Sequence, residues 1–268
     1  MSRLRRTRAA LIAPLALVSA LTVNALAPAA HADTPSMVGL GDSYASGVGT
    51  RTYYDDSGSC QRSPYAYAVL DAERVGADLS FVACSGATTS TVLDNQLGAL
   101  SSATDYVTLT VGGNDAGFVD VITSCAPPWW ASDCDGAIDD AQQFITDTLP
   151  GRLDTVDDAI SSAAPNATVV VVGYPRLFNG EDCNAGTWFS PHEESRLNAT
   201  ADLLDSTIAA AANAHGFSYV DPRSAFTGHA ICGSPEWING LSSPITESYH
   251  PNRSGQTGYA DLVDDLLA

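Results

Sequence analysis

Short apolar stretches alternate with segments of helical periodicity along most of the chain. Five of these stretches are rich in β-branched and aromatic residues and predict strands, at 37–40, 79–83, 106–111, 169–172 and 217–220. Strands that alternate with amphipathic helices are typical of βαβ units and of a mostly parallel sheet. The sequence therefore predicts an α/β fold with five parallel strands and helices on both faces of the sheet.

The helical periodicity covers four segments, at 63–72, 138–160, 197–211 and 255–267. The first helix is expected to begin near Ser63 and Pro64, because these residues are a suitable N-cap and first-turn pair. Pro150 is expected to kink or split the second helix. The third is expected to end at His215, which a glycine follows. Since no internal repeat or Pro/Gly-rich linker interrupts this pattern, we expect one domain.

The first 32 residues have the composition of an export signal. Four arginines precede an apolar stretch at 11–23, and the sequence Ala-His-Ala at 30–32 is a small-x-small cleavage site. The apolar stretch is too short and too rich in alanine for a membrane anchor. We therefore expect 1–32 to be a cleaved signal peptide and 33–268 to be a secreted, extracellular domain.

The chain is strongly acidic, with 31 Asp and Glu residues against 12 arginines, no lysine, and a formal net charge of −19. Such a surface repels nucleic acids and anionic lipids at long range, and it favours neutral or zwitterionic substrates. Solubility is the simpler explanation of the charge. In either case a nucleic-acid partner is not expected.

All cysteines lie beyond the expected signal peptide: Cys60, Cys84, Cys125, Cys134, Cys183 and Cys232. An even number of cysteines in an exported chain predicts disulfides, although the sequence alone leaves their pairing open. There is no Cys-x-x-Cys motif, and no histidine stands at ligand spacing from a cysteine, so we expect no metal site.

Three turns that follow the first three predicted strands contain the groups that an activated serine needs. Ser43 follows the first strand, Gly86 the second and Asn114 the third. Because parallel strands end at the same edge of a sheet, these turns are expected to converge. The backbone N–H groups of Ser43 and Gly86 and the amide of Asn114 can then surround one substrate oxygen, as an oxyanion hole requires.

A serine nucleophile also needs a base, and histidine is the usual one. His192 stands at a helix start and His215 at a helix end, where a cation simply suits the helix dipole. His229 and His250 remain as candidates. The segment 247–252 forms a rigid turn before the last helix, which is the better place for a fixed imidazole.

Four blocks, in this order, resemble the conserved blocks of the GDSL, or SGNH, hydrolase superfamily: Gly-Asp-Ser-Tyr at 41–44, Gly86, Gly-Gly-Asn-Asp at 112–115, and His250-Pro251. The residues between them resemble the secreted actinobacterial lipases, esterases and phospholipases A1 of that superfamily. The resemblance spans about 37–259 and implies a three-layer α/β/α, flavodoxin-like fold.

The resemblance also implies roles for individual residues. Ser43 is then the nucleophile, His250 rather than His229 is the general base and acid, and Ser43, Gly86 and Asn114 form the oxyanion hole. No metal or cofactor is implied. Sequential disulfides are implied as well: Cys60–Cys84, Cys125–Cys134 and Cys183–Cys232.

The position three residues before the histidine departs from the family pattern. Many members have Asp there, whereas this chain has Glu247, whose longer side chain must fold back to reach the imidazole. The alternative is that a backbone carbonyl near Ser248 holds Nδ1 of His250, which makes the site a dyad. We favour the carbonyl.

Other polar and aromatic residues near these blocks have simpler interpretations. Asp42 and Asp115 are interpreted as turn caps rather than as an acid and base pair. Trp129 and Trp130 are suited to contact an acyl chain or a lipid surface, but ordinary loop packing explains them equally well.

The sequence thus predicts a secreted, cofactor-independent serine hydrolase that cleaves carboxylic esters of lipids, as a lipase, an esterase or a phospholipase A1, through an acyl-enzyme on Ser43. Its expected substrates are neutral or zwitterionic, and we expect a monomer with at most transient lipid contact. The alternatives are a carbohydrate acetyl esterase of the same fold and a non-catalytic secreted binding protein. The presence of Asn114 and His250 argues against the latter.

Overall fold

A computed structural model describes residues 34–267, and its core is one parallel sheet. The strands are β1 (Ser36–Gly41), β2 (Asp78–Phe81), β3 (Tyr106–Thr110), β4 (Thr168–Val172) and β5 (Ser218–Val220). They form a five-stranded sheet in the order β2-β1-β3-β4-β5, and every neighbouring pair is parallel. The predicted α/β fold is therefore confirmed, with flavodoxin-like strand order.

Helices cover both faces of this sheet, which explains why its three central strands are almost entirely buried. The helices are α1 (Ser43–Ser46), α2 (Tyr67–Val75), α3 (Thr89–Asn95), α4 (Phe118–Cys125), α5 (Cys134–Asp147), α6 (Leu149–Ala163), α7 (Pro191–Ala214) and α8 (Arg253–Leu267). Helices α2 and α8 pack together on one face, whereas α5, α6 and α7 pack against one another on the other. The three-layer α/β/α architecture is thus confirmed.

The end of β1 is fixed by a close approach to β3. Gly41 has φ +124°, and a Cβ atom there would lie 2.3 Å from the carbonyl oxygen of Thr110, so only glycine fits. The buried Gln96 accepts from the Gly41 N–H at 2.7 Å and donates to its carbonyl at 2.9 Å. The backbone that leads into Ser43 is therefore held on both sides.

Two of the helix predictions can be compared directly with the structure. The split at Pro150 is confirmed, since α5 ends at Asp147 and Pro150 lies in the first turn of α6. The start near Ser63 and Pro64 is wrong, because α2 begins at Tyr67. The Ser63 hydroxyl accepts from the Tyr65 N–H at 3.0 Å and therefore caps a separate turn ahead of the helix.

Three disulfides join Cys60 to Cys84, Cys125 to Cys134 and Cys183 to Cys232. These are the sequential pairs expected above, and each ties an irregular segment. Between residues 34 and 267, no helix has the length and apolar character needed to cross a membrane. The expected signal peptide at 1–32 lies outside the described residues.

Candidate active site

Ser43 begins α1 immediately after β1, at the carboxyl edge of the sheet. Asp42 caps this short helix, since its Oδ1 accepts from the Tyr44 N–H at 2.9 Å. Its other carboxylate oxygen accepts from the Tyr174 hydroxyl at 2.5 Å. Burial raises the pKa of Asp42 to about 7, and these two hydrogen bonds oppose the increase. Asp42 therefore holds the serine turn and does not face the reacting hydroxyl.

Asp115 is also occupied by structural contacts. Its carboxylate accepts from the Thr89 N–H at 2.8 Å and from the Thr89 hydroxyl at 2.6 Å, and it receives Arg152 at 3.1 Å. These contacts hold the start of α3. Both aspartates thus occupy the turn-capping positions that the sequence suggested.

His250 faces Ser43 across 207 residues of sequence, with Nε2 2.8 Å from the serine Oγ. Its Nδ1 lies 2.8 Å from the carbonyl oxygen of Ser248. A carbonyl can only accept, so Nδ1 carries the proton and Nε2 presents its lone pair to the hydroxyl. Burial lowers the pKa of His250 to about 4, and the Ser248 carbonyl opposes this shift. The imidazole is therefore a neutral base at neutral pH.

Glu247 is buried but makes its contact elsewhere. Its Oε1 accepts from the Tyr53 hydroxyl at 2.5 Å, and its Oε2 has no hydrogen-bond partner within the described chain. The Nδ1 atom of His250 has the Ser248 carbonyl as its partner instead. The geometry is that of a dyad with a backbone acceptor.

The loop that carries His250 is held by residues that sequence reasoning missed. The Asn239 N–H donates to the His250 carbonyl, and the Tyr249 N–H donates to the Asn239 carbonyl, both at 2.9 Å. The Asn239 amide also reaches the Gly49 carbonyl at 2.9 Å. The Tyr44 hydroxyl donates to the carbonyl of Tyr249 at 2.7 Å. Tyr249 has φ +61°, a left-handed conformation that is costly for tyrosine and that these bonds maintain.

The three expected oxyanion donors line the same cleft as His250. Gly86 has φ +79° and is exposed, and the N–H groups of Gly86 and Ser43 have no acceptor among residues 34–267. The Asn114 amide donates to the Ala87 carbonyl at 3.0 Å, which fixes its plane and leaves its second N–H free. This arrangement can stabilise a developing negative charge on a substrate oxygen.

The cleft in front of Ser43 has a volume of about 450 Å³. Its walls include the apolar side chains of Phe118, Ile122 and Leu241. A second, narrow apolar pocket extends from Ser43 between α4, α5 and α7. Its walls include Val121, Ile145 and Leu204. Ser43 therefore stands where two apolar spaces meet.

The other histidines of the described chain are engaged elsewhere. His229 bonds the Pro235 carbonyl and stacks on Trp237 at 4.2 Å between ring centroids. His215 pairs with Asp154 at 2.8 Å. Within residues 34–267, no group of three or more His, Cys, Asp or Glu side chains is arranged to hold a metal.

Comparisons with known proteins agree with this fold. The profile of the GDSL-like lipase/acylhydrolase family matches residues 40–257. Lipase 1 of Streptomyces coelicolor is 45% identical over 251 residues, which cover 92% of this chain and 91% of that protein.

Two solved structures have the same architecture at high identity. Phospholipase A1 from Streptomyces albidoflavus has a TM-score of 0.81 and 44% identity, with 87% of this chain and 98% of that chain covered. An extracellular lipase from Streptomyces rimosus has a TM-score of 0.81 and 42% identity, with 87% and 100% covered. The fold and these relatives define a carboxylic ester hydrolase. The chain belongs to the GDSL-like lipase/acylhydrolase family.

Proposed function

We propose that the protein is a secreted serine hydrolase that cleaves carboxylic esters of lipids through an acyl-enzyme on Ser43. One observation carries this proposal: Ser43 Oγ and His250 Nε2 are in hydrogen-bonding contact, and both residues line a largely apolar cleft. A serine hydroxyl becomes a competent nucleophile when a neutral imidazole takes its proton.

In the first half-reaction, Ser43 Oγ bonds to the ester carbonyl carbon while its proton passes to Nε2 of His250. The carbonyl oxygen becomes an oxyanion that accepts from Ser43 N–H, Gly86 N–H and the Asn114 amide. One such donor contributes about 3–4 kcal/mol to lowering the barrier in a well-studied protease. The intermediate collapses, and the leaving alcohol takes the proton from His250.

In the second half-reaction, a water molecule gives its proton to His250 and attacks the acyl carbon on Ser43. The acid leaves, and the proton returns to the serine oxygen. Throughout the cycle the Ser248 carbonyl holds Nδ1–H, which keeps Nε2 directed at the reacting oxygen.

The apolar surroundings of Ser43 favour a lipid ester over an acetylated sugar. An acyl chain would bury apolar surface along the walls of the narrow pocket next to Ser43, whereas an acetyl group would bury much less. The similar proteins named lipase and phospholipase A1 support the same substrate class. The net charge of −19 favours neutral or zwitterionic lipids.

We also propose that residues 1–32 are an export signal and that the domain acts outside the cell. The cationic and apolar composition of this segment supports export, and so do three disulfides of the kind that persist in oxidising compartments. N-terminal sequencing of the secreted protein is expected to begin at Asp33. A secreted chain that begins at Met1 would contradict this.

The function is tested with p-nitrophenyl acetate, octanoate and palmitate, and with phosphatidylcholine. We expect hydrolysis that favours the longer chains and that is lost in Ser43→Ala and His250→Ala. The control Ser90→Ala removes an exposed hydroxyl of α3 and should keep full activity.

Reaction with diethyl p-nitrophenyl phosphate should add one phosphoryl group, on the Ser43 peptide only. Labelling of another residue, or activity that survives in Ser43→Ala, would refute the mechanism.

A further inference from the structure

Five large hydrophobic side chains are exposed around the cleft, and we call them the tryptophan rim. They are Val119, Trp129, Trp130, Trp188 and Ile245, with exposed fractions of 60%, 82%, 71%, 55% and 67%. Scattered exposed hydrophobic residues are ordinary, but several at one place mark an interaction surface.

Contacts in the structure place these residues at the mouth of the cleft. Val119 and Ile245 line the cleft together with Ser43 and His250. Ala126 lines it as well, and its carbonyl accepts from the backbone N–H of Trp188 at 3.1 Å.

The remaining two tryptophans follow Ala126 closely in the chain. Trp129 and Trp130 lie in the loop that the Cys125–Cys134 disulfide closes. The rim is therefore continuous with the proposed active site and stands beside its entrance.

The loop that carries two of the tryptophans is held in place without burying them. The Ser132 hydroxyl donates to the Ser124 carbonyl at 2.9 Å, and the Ala131 N–H donates to the Pro128 carbonyl at 2.8 Å. Trp129 and Trp130 meet edge to face, with ring centroids 5.9 Å apart. Because the loop backbone is already restrained, docking these exposed side chains on a partner costs little backbone entropy.

The charge around the rim identifies the kind of partner. The segments 126–132, 185–190 and 241–246 contain no charged residue, and the exposed neighbour of Val119, Asp120, is acidic, in a chain whose net charge is −19. A basic protein surface or an anionic bilayer would call for charged contacts that these segments lack. Tryptophan is well suited to the boundary between lipid head groups and acyl chains.

We propose that the tryptophan rim docks the enzyme on neutral or zwitterionic lipid surfaces, with the Ser43 cleft facing the lipid. The proposal rests on the proposed function, since it presents the same cleft to a substrate that is held in an aggregate. A lipid molecule then reaches Ser43 without crossing a layer of water.

The test compares binding to phosphatidylcholine vesicles with hydrolysis of soluble p-nitrophenyl butyrate. In the Trp129→Ala/Trp130→Ala/Trp188→Ala variant we expect vesicle affinity and the rate on vesicles to fall at least tenfold. The kcat/KM for the soluble ester should stay within about twofold, because none of these three tryptophans lines the cleft. Leu266→Ala, which removes an exposed side chain at the far end of α8, is the matched control and should bind as the parent does.

Fluorescence gives a second readout, because three of the four tryptophans of the chain belong to the rim. The fourth, Trp237, packs edge to face against Phe226. Emission of the parent protein should shift to the blue with phosphatidylcholine, and much less with vesicles rich in phosphatidylglycerol.

Unchanged binding by the triple variant, equal binding to anionic vesicles, or an equal loss of soluble-ester activity would each overturn the docking proposal. Ser43→Ala should still bind vesicles. Inactivity of the parent on every ester would instead refute the proposed function, so the two failures are distinguishable.

Discussion

The two sides of the candidate active site are built in different ways. Ser43, Gly86 and Asn114 follow β1, β2 and β3, so the sheet positions them through its backbone. His250 lies in the irregular segment between β5 and α8, where side-chain hydrogen bonds from Tyr44 and Asn239 hold it. The position of Ser43 therefore depends on the fold as a whole, whereas the position of His250 depends on a few side-chain contacts that single substitutions can remove.

The largest effect is expected on the side that the sheet positions. Asn114→Ala removes a proposed oxyanion donor, so kcat for p-nitrophenyl butyrate should fall by about 10²–10³. The thermal midpoint should change little, because the hydrogen bond to Ala87 is near the surface. Asn166→Ala, an exposed asparagine elsewhere, is the control. A loss below tenfold would remove Asn114 from the oxyanion hole.

The next effect concerns the pH dependence of the base. A base acts only when it is neutral, and the lowered pKa of His250, about 4, extends the neutral form to lower pH. The kcat/KM is therefore expected to stay near its plateau at pH 5 and to fall near pH 4. With an ordinary imidazole pKa of about 6.5, roughly 30-fold would already be lost at pH 5. A limb near pH 6.5 would show that the imidazole is not desolvated in solution.

A smaller effect is expected from the contacts that hold the base. Tyr44→Phe removes the hydroxyl that donates to the Tyr249 carbonyl, so kcat should fall by about tenfold while KM for a soluble ester stays unchanged. The acid limb should also move toward pH 6.5, as the imidazole becomes better solvated. Tyr106→Phe, on β3, serves as the control. If KM rises and kcat does not change, Tyr44 contacts substrate and does not position His250.

The smallest effect is expected at Glu247. Glu247→Gln keeps a group that accepts from the Tyr53 hydroxyl, and kcat should stay within about threefold of the parent. Loss of a true triad carboxylate costs about 10⁴ in kcat. A decrease of that size would mean that Glu247, and not the Ser248 carbonyl, orients His250 during turnover.

The same contrast explains what the sequence was able to predict. The strands and the convergence of Ser43, Gly86 and Asn114 follow from local periodicity and from the rule that parallel strands end at one edge. The residues that hold His250 left no local signal, because Tyr44 meets Tyr249 across 205 positions and Asn239 meets Gly49 across 190.

Local competition explains the errors in the helices. The Ser63 hydroxyl accepts from the Tyr65 N–H of a separate turn and does not cap α2, so α2 begins later in the chain than predicted. The short helices α3 and α4 were not predicted at all, since seven or eight residues show too little periodicity. The start of α7 has a capping box formed by Ser190 and Glu193. This signal is present in the sequence, but it was not used in the prediction.

The Cys60–Cys84 disulfide has a consequence for when the enzyme becomes competent. Cys84 stands two residues before Gly86, and the Ser85 N–H donates to the Cys60 carbonyl at 3.0 Å. Reduction would remove the covalent tie of the loop that presents the Gly86 N–H, a proposed oxyanion donor, and would leave only backbone hydrogen bonds such as that from Cys84 N–H to the Gly41 carbonyl. We therefore expect the reduced protein to hydrolyse esters more slowly, and activity measured with and without dithiothreitol tests this expectation. If the protein is exported as proposed, it would reach full activity only outside the reducing compartment in which it is made.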